Sequence, residues 1–537
     1  MAARFRRIKL NVIAWRQYCF AQSEELMPQR VAAQPSTTPY WAESASISTF
    51  PPIDRDLNTG TVVVGGGITG LTAAYLLAQA GRRVTVLERQ RCAEIDTGHT
   101  SAHLTMVTDE PLSTLIKRFG RDHAQAAWDA GLAAIAQIDA IVREHEIQCA
   151  FEWVDAYLHL PALGVSRIDV ASLEEEARLA RDLGFDAWFE PTVPLVKQPG
   201  VRLANQARFH PRKYLAGLVK AITAAGGAIF EHSGVDDFCG DPLSVKAKGH
   251  TVTCDDIVLA THNPLVGVGG FLTATAFQTK LALYTTYVIG GRVAKGTIPD
   301  ALFWDTQDPY HYLRVEPHRD HDVVIFGGED HKTGQSASTS ECYENLERTL
   351  TQLVPGIEIT HRWSGQVIET PDGLPYIGRT ADHQYAATGF AGNGMTFGTL
   401  GGMMMADAIL GRPNPWADLF EPGRKAVRRG AWEYIKQNVD YPYYLIRDRF
   451  AGAEGRSTRE VRRGQGKVIE QDSTRVAVYR DASGATTSRS ATCTHMGCIV
   501  EWNDAERTWD CPCHGSRFKP DGAVISGPAE SPLAKID

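Results

Sequence analysis

The hydrophobic pattern along the chain is clearest at Thr61-Val-Val-Val64, a short continuous apolar run of the kind that forms a strand buried on both faces. It passes directly into Gly65-Gly-Gly-Ile-Thr-Gly70. Leu71 to Gln79 then carries a helical pattern that stops at Gly81, and Arg83-Val-Thr-Val-Leu-Glu88 predicts a second strand. Together these pieces make a strand–helix–strand unit, whose crossover should be right-handed. Further on, Arg212 to Ala225 predicts a helix ended by Gly226-Gly227, Ala228 to Glu231 a strand, and Asp256 to Ala260 a buried strand. The stretches from Phe151 to Val201 and from Gln278 to Gly328 mix strands and turns, as a domain inserted between pieces of another would. Val31 to Pro52 is rich in Pro, Ser, Thr and Ala without periodicity and reads as an irregular lead-in. Trp416 to Arg449 is polar, aromatic and punctuated by Pro, as a linker would be. From Val461 onward short strands and Gly turns dominate, among them Arg475 to Arg480 and Ile499 to Trp502, with turns at Gly484 and Asn503-Asp504. The expected organisation is an irregular extension over 1–57, an α/β body with an inserted α+β domain over 58–424, a linker over 425–455 and a small all-β domain over 456–537.

The length of 537 residues suits about three domains at roughly 100–200 residues each. Hydrophobic residues at 43% and charged residues at 22% are ordinary for a globular protein. A net charge of −8 gives no basic footprint, so no nucleic-acid partner is expected. No apolar run approaches the ~20 residues that span a bilayer, so no transmembrane segment is expected. The start of the chain, MAARFRRIKLNVIAWRQYCFAQ, is basic and partly apolar. Arg6-Arg7 resembles a twin-arginine signal, but Arg16 and Gln17 interrupt the apolar stretch that such a signal needs. It reads as an extension, and Met27 offers an alternative start. Of the 10 cysteines, Cys493, Cys498, Cys511 and Cys513 crowd near the C-terminus. The other six (Cys19, Cys92, Cys149, Cys239, Cys254 and Cys342) are scattered, as reduced cysteines are, which points to a reducing, cytoplasmic setting.

Two boxes carry metal chemistry: Cys493-Thr-His-Met-Gly-Cys498 and Cys511-Pro-Cys-His-Gly-Ser516. Each offers a thiolate and an imidazole at short spacing. The same residue types could build a structural zinc site, although zinc sites rarely pair these two boxes. Both boxes closely resemble the Rieske family, in which two cysteines hold one iron of a [2Fe-2S] cluster and two histidines the other. The resemblance assigns Cys493, His495, Cys511 and His514 to iron and implies a disulfide between Cys498 and Cys513. It also implies a hydrogen bond from Ser516 to a cluster sulfide and a proline loop at Gly527-Pro528-Ala529. Phe518 stands where high-potential members carry Tyr. Losing that hydroxyl should lower the potential within a range of roughly −150 to +300 mV.

Gly65-x-Gly67-x-x-Gly70 would be a weak signal alone. Here it follows a strand, opens a helix, and has Glu88 ending the next strand about 20 residues on. Gly67 lets the backbone approach a pyrophosphate at the helix N-terminus, and Glu88 can accept hydrogen bonds from ribose hydroxyls. This fingerprint does not separate FAD from NAD. Four further stretches resemble the D-amino-acid oxidase/glycine oxidase superfamily: Thr97 to Thr105, Phe209-His-Pro-Arg-Lys-Tyr-Leu215, Val258-Leu-Ala-Thr261, and Ala387 to Gly398. The resemblance covers about Thr61 to Arg424. It implies a Rossmann-like FAD-binding domain with an inserted substrate domain, and non-covalent FAD. The residues it carries to the cofactor are Gly65, Gly67, Ile68, Thr69, Gly70, Glu88, Arg89, Thr97, Thr100, Ser101, Val235, Ala260, Gly392, Asn393, Gly394, Met395 and Thr396. Two departures stand out. Sarcosine-oxidase relatives carry a Lys at the position of Thr396, and a flavin-linking Cys that is missing from Gly365 to Asp372. His99 or His103 could link a flavin in principle.

Only one dinucleotide fingerprint is present, so electrons are expected to enter from an organic substrate rather than from NAD(P)H. The resulting expectation is a dehydrogenase that oxidises a small amine or amino-acid-like substrate and sends electrons through the cluster to an external acceptor, a protein or a quinone. A redox sensor without turnover, and an NAD(P)H-fed reductase or monooxygenase component, stand as alternatives. Tyr310, Tyr312 and Arg314 fall on one strand of the inserted domain, where Arg314 could bind a carboxylate through its fork or form an ion pair. Glu329-Asp-His331 is chemically dense but reads as solvated loop, and no general base is singled out.

Overall fold

The computed structural model describes residues 35–263, 281–336, 338–424, 454–455, 457–471, 474–529 and 531–536. The first 22 residues, Met27, the segment from Gln278 to Lys280 and nearly all of the expected linker lie outside them.

Thr61–Val64 is buried at every position and sits in the middle of a six-stranded sheet. Val84–Leu87 pairs on one side and Asp256–Leu259 on the other, both parallel, with Val62 opposite Thr85 and Ile257. Ala228–Phe230 and Gln384–Thr388 extend the parallel order, and Tyr376–Ala381 closes one edge antiparallel. A strand buried on both faces needs an apolar side chain at each position, which explains the Val run. Helix Ile68–Gln79 covers one face, and helix Gly394–Ile409 packs on it. That approach is very close. A Cβ on Gly398 would lie 2.8 Å from Ile68 Cγ2, and one on Gly402 would lie 2.9 Å from the Thr69 carbonyl oxygen.

The inserted domain centres on a nine-stranded mixed sheet among the described residues. Its long strands are Ala282–Ala294, His321–Lys332 and Glu358–Glu369, joined by Tyr312–Pro317 and Leu302–Asp305. Helices Leu112–Phe119 and Arg121–Glu144 were not expected from the sequence; the second is rich in Ala and buries Trp128, Ile135 and Ile138. The lead-in also departs from the irregular chain expected. Tyr40–Ser44 is helical and Trp41 is fully buried, its indole Nε1 donating to the Thr100 carbonyl at 2.6 Å.

The C-terminal part holds two antiparallel sheets, a three-stranded one over Gln465–Gln471, Thr474–Arg480 and Thr486–Ser490, and a four-stranded one from Glu501–Asn503 to Val524–Ser526. It packs on the inserted domain through polar side chains. Thr339 donates to Asn503 Oδ1 at 2.8 Å, Ser340 to Asp504 Oδ2 at 2.6 Å and Tyr343 to Glu506 Oε1 at 2.5 Å.

Candidate functional site

One cavity of about 700 Å³ runs from the glycine-rich turn to the inserted sheet, well within the size range of cofactor and substrate sites. Its near end is built by the strand–helix turn. Gly65 has φ 108°, and a Cβ there would lie 2.4 Å from the Ala260 carbonyl oxygen, so only glycine fits. Gly67 has no side chain to cap the helix; the Thr97 hydroxyl accepts the Ile68 N–H at 3.2 Å, and the helix start lines the cavity. A helix N-terminus is what a pyrophosphate needs. Glu88 is buried, accepts the Gly66 and Gln90 N–H groups at 2.7 Å each, and has its pKa raised by desolvation. The second helix start, Gly392 to Met395, faces the same space.

Gly65, Gly67, Ile68, Thr69, Glu88, Arg89, Thr97, Thr100, Ser101, Val235 and Ala260 all line the cavity, as do Gly392, Asn393, Gly394, Met395 and Tyr312. Gly70 and Thr396 are not among the lining residues. Gly70 serves packing, since a Cβ there would sit 2.0 Å from the Gly65 carbonyl oxygen, and Thr396 is wholly buried. His99 and His103 line the cavity, and desolvation lowers His103 to about 3, so it is neutral at ordinary pH.

Arg314 requires correction as a substrate-binding residue. It is fully buried, its Nη1 donates to the carbonyls of Ala102 and Phe209 at 2.8 and 3.0 Å, and its Nη2 pairs with Glu316. Trp41 lies under it at 5.3 Å. The guanidinium braces the core. Releasing it to a substrate would leave Glu316 buried and unpaired, a change that costs about 3–5 kcal/mol.

The far end of the cavity is acidic and aromatic. Asp109 Oδ2 accepts the Gly392 N–H at 2.6 Å, and Tyr310 OH donates to its Oδ1 at 3.4 Å. Tyr312 OH and Thr286 Oγ1 are 2.9 Å apart. Asp330 lines the same region; desolvation, reinforced by the charge of Asp109, pushes its pKa up to about 7. Behind it Glu369 is pushed up to about 8 by desolvation and by Asp109 and Asp330. Arg167 lines this end and is already paired with Asp308, and the charge of Lys332 lowers Glu369 in part. Asp109 and Arg167 carried no local sequence signal. Asp330 belonged to the dense Glu329-Asp-His331 run read as loop, yet it lies at the end of a sheet strand.

The two cysteine–histidine boxes fold as matching loops. Cys493 N–H donates to the Cys498 carbonyl at 2.8 Å and Gly497 N–H to Cys493 at 3.0 Å; Cys511 N–H donates to Ser516 at 2.8 Å and Gly515 N–H to Cys511 at 2.9 Å. Cys498 and Cys513 form a disulfide, and Cys511 Sγ lies within 4.8 Å of both its sulfurs. Disulfide sulfurs offer no thiolate, so Cys493 and Cys511 remain as the thiol donors. A hydrogen bond shared between them lowers the Cys493 thiol and raises that of Cys511. The rings of His495 and His514 meet edge to face with centroids 4.9 Å apart, and desolvation lowers them to about 4 and about 3. Two thiols and two neutral imidazoles on facing loops fit a diiron cluster, which needs that donor set. Phe518 is wholly buried in the same small core.

Cluster domain and cavity share a wall. Ser526, Gly527 and Ala529 line the cavity, and Arg89 Nη2 donates to the Ile525 carbonyl at 2.7 Å. Arg517, 6% exposed, reaches Asp510 at 3.3 Å within its own domain and Ser364 at 3.4 Å across the junction. Arg517→Met should leave the buried charge of Asp510 without its cation, held only by Asn503 and Thr508 among the described residues. Removing one partner of a buried pair costs about 3–5 kcal/mol, which thermal unfolding of the full chain would register as a lower midpoint.

The chain belongs to the FAD dependent oxidoreductase (DAO) family, whose model matches residues 61–408, and it carries a Rieske [2Fe-2S] domain over residues 455–537. It is an FAD-dependent oxidoreductase with FAD and a [2Fe-2S] cluster as cofactors. Over 504 residues it is 33% identical to the Rieske 2Fe-2S iron-sulfur protein YhfW of Bacillus subtilis (strain 168), covering 93% of this chain and 97% of that one. It is 24% identical to the gamma-glutamylputrescine oxidoreductase of Escherichia coli (strain K12), covering 77% of this chain and 98% of that one. The glycine oxidase of Geobacillus kaustophilus shares the fold at a TM-score of 0.57 and 17% identity, covering 69% of this chain and 99% of that one. No described helix is long and apolar enough to cross a membrane.

Proposed function

We propose that the protein is a dehydrogenase that oxidises a small amine or amino-acid-like substrate and passes the electrons through its own cluster to an external acceptor, a protein or a quinone. The observation that carries this reading is the shared wall: residues of the Rieske domain line the cavity that would hold the flavin. Bound there, FAD would accept a hydride from the C–H beside an amine nitrogen, and the cluster would take electrons one at a time. The glycine-rich turn, Glu88 and the Gly392–Met395 segment would hold the flavin, while Cys493, His495, Cys511 and His514 would hold the irons.

The far end of the cavity supports an amine over a carboxylate-rich substrate. Desolvation raises Asp109, Asp330 and Glu369, the charge of Asp109 adds to the rise of Asp330, and both aspartates add to that of Glu369; a bound ammonium would relieve that repulsion. A substrate carboxylate would compete with Asp308 for Arg167. Tyr310 and Tyr312 stay protonated, since desolvation raises both, and can flank a cation. The name of the Escherichia coli relative points to the same substrate class. The buried free thiols of Cys92, Cys149, Cys254 and Cys342 support a reducing, cytoplasmic setting.

An amine and amino-acid panel followed by bleaching of flavin absorbance tests the substrate class; bleaching by NADH alone would contradict it. Asp330 adds a pH signature. With its pKa raised to about 7, the carboxyl is neutral below that pH and charged above it, so amine affinity should rise as pH passes through 7. Asp330→Asn should flatten that rise and weaken binding at pH 8 by about tenfold, or about 1.4 kcal/mol, read as KM with kcat changed less.

A further inference from the structure

Gln366 is where the cavity meets the iron-ligand loop. It lies on strand Glu358–Glu369, lines the cavity and is 7% exposed. Its Nε2 donates to the Gly515 carbonyl at 2.8 Å and more weakly to Thr333 Oγ1 at 3.4 Å. Gly515 directly follows His514, and its N–H closes the ligand loop onto Cys511. The other end of the amide is unsatisfied: Oε1 is buried and accepts no hydrogen bond from any described residue. Leaving a buried acceptor unpaired costs about 1–3 kcal/mol, and such groups are nearly always paired. Exchanging the amide ends would not help. Oε1 would then face the Gly515 carbonyl, acceptor against acceptor, so the network fixes the orientation. The nearby Thr333 hydroxyl is already engaged with Thr285 Oγ1 at 2.9 Å. The missing donor therefore has to come from what fills the cavity.

We propose that Gln366 couples the cavity to the cluster: its Oε1 accepts an N–H from the molecule bound in the cavity, while its Nε2 holds the Gly515 carbonyl of the iron-ligand loop. The inference rests on the cavity and cluster assignments given above. Two donors have this chemistry, the imide N–H of a flavin ring and the ammonium of an amine. In either case, engagement of Oε1 polarises the amide and strengthens the bond from Nε2 to Gly515, since linked hydrogen bonds reinforce one another. The Gly515 carbonyl belongs to the same peptide unit as the Ser516 N–H, in the loop that wraps the cluster. Withdrawing electron density there favours the reduced cluster, because potential follows the hydrogen bonding around it. Gln366 is thus a positioning residue, and filling the cavity makes the cluster a better acceptor.

The test is the cluster midpoint potential, with its EPR g values, in full-length protein that is FAD-loaded, FAD-stripped, and FAD-loaded with putrescine. The variants are Gln366→Leu, which removes both ends of the bridge, and Gln366→Glu, which keeps an acceptor toward the cavity but loses the donor to Gly515. If the flavin ring is the donor, stripping FAD from the wild type lowers the cluster's reduction constant about tenfold, or about 59 mV for one electron. Gln366→Leu then shows the lower value with FAD bound and shifted flavin absorbance bands. If the amine is the donor, stripping FAD changes nothing, and putrescine raises the potential in the wild type but in neither variant. A wild-type potential that is the same in all three states overturns the proposal, whether or not the variants fold. A Gln366→Leu variant that responds as the wild type does also overturns it. Failure of the amine reading would look different: no amine would bleach the flavin, yet the comparison of loaded and stripped protein would still decide the role of Gln366.

Discussion

Cys511→Ser is expected to yield protein that binds FAD and is reduced by substrate, yet lacks the EPR signal of a reduced cluster and turns over with a one-electron acceptor at least about 100-fold more slowly. That factor corresponds to about 2.7 kcal/mol. The cysteine is buried at the centre of the small cluster domain, and it is one of the two thiols left once Cys498 and Cys513 have formed their disulfide. Serine keeps the shape of the side chain, and the loop bonds from the Cys511 N–H to Ser516 and from Gly515 to the Cys511 carbonyl are made by the backbone. The cavity wall at Ser526, Gly527 and Ala529 should therefore survive, and single-turnover flavin reduction should stay within about twofold of the wild type. EPR, flavin absorbance and steady-state turnover on one preparation separate loss of the cluster from loss of the fold. A variant that keeps full turnover with the external acceptor would place the exit of electrons at the flavin itself.

Gly67→Val is expected to give the converse species, a folded protein with its cluster and without flavin. Gly67 has φ −83°, a conformation open to any residue, and a Cβ there would lie 2.9 Å from the Thr97 hydroxyl, which has to turn aside. The backbone can therefore accept valine. The added methyl groups occupy the mouth of the helix, where the pyrophosphate has to approach. Affinity for FAD should fall at least about 100-fold, or about 2.7 kcal/mol, measured by fluorescence titration of the stripped protein. Gly65→Val would be a poor substitute. Its φ of 108° and the 2.4 Å approach to Ala260 would disturb the sheet itself.

Both sites were legible in the sequence because their chemistry is local. Gly65 to Gly70 and the two cysteine–histidine boxes are short spacings in which one turn of backbone decides the geometry. Arg314 shows where such reading stops. Its strand suggested a substrate-facing side chain, but Glu316, two residues on and so on the same face, takes the guanidinium inside the core. The spacing was visible; the burial that makes it an internal pair depends on Trp41, Ala102 and Phe209, which come from three distant segments. Asp109 and Asp330 meet only when helix-flanking loop and sheet strand are brought together, so neither position advertised a site. Gln366 was invisible for the same reason: it gains meaning only from Gly515, 149 positions away. The short helix at Tyr40–Ser44 is too brief to leave a period, and it is held by the burial of Trp41 rather than by propensity.

Whether the flavin feeds the cluster inside one chain is decided most directly by mixing the holoenzyme anaerobically with a reducing amine, then following flavin absorbance by stopped flow and the cluster by freeze-quench EPR. Flavin bleaching should come first, and the reduced-cluster signal should grow in step with partial flavin recovery, at a rate independent of protein concentration. A flavin that bleaches while the cluster stays oxidised, and that recovers quickly only when oxygen is admitted, would contradict it.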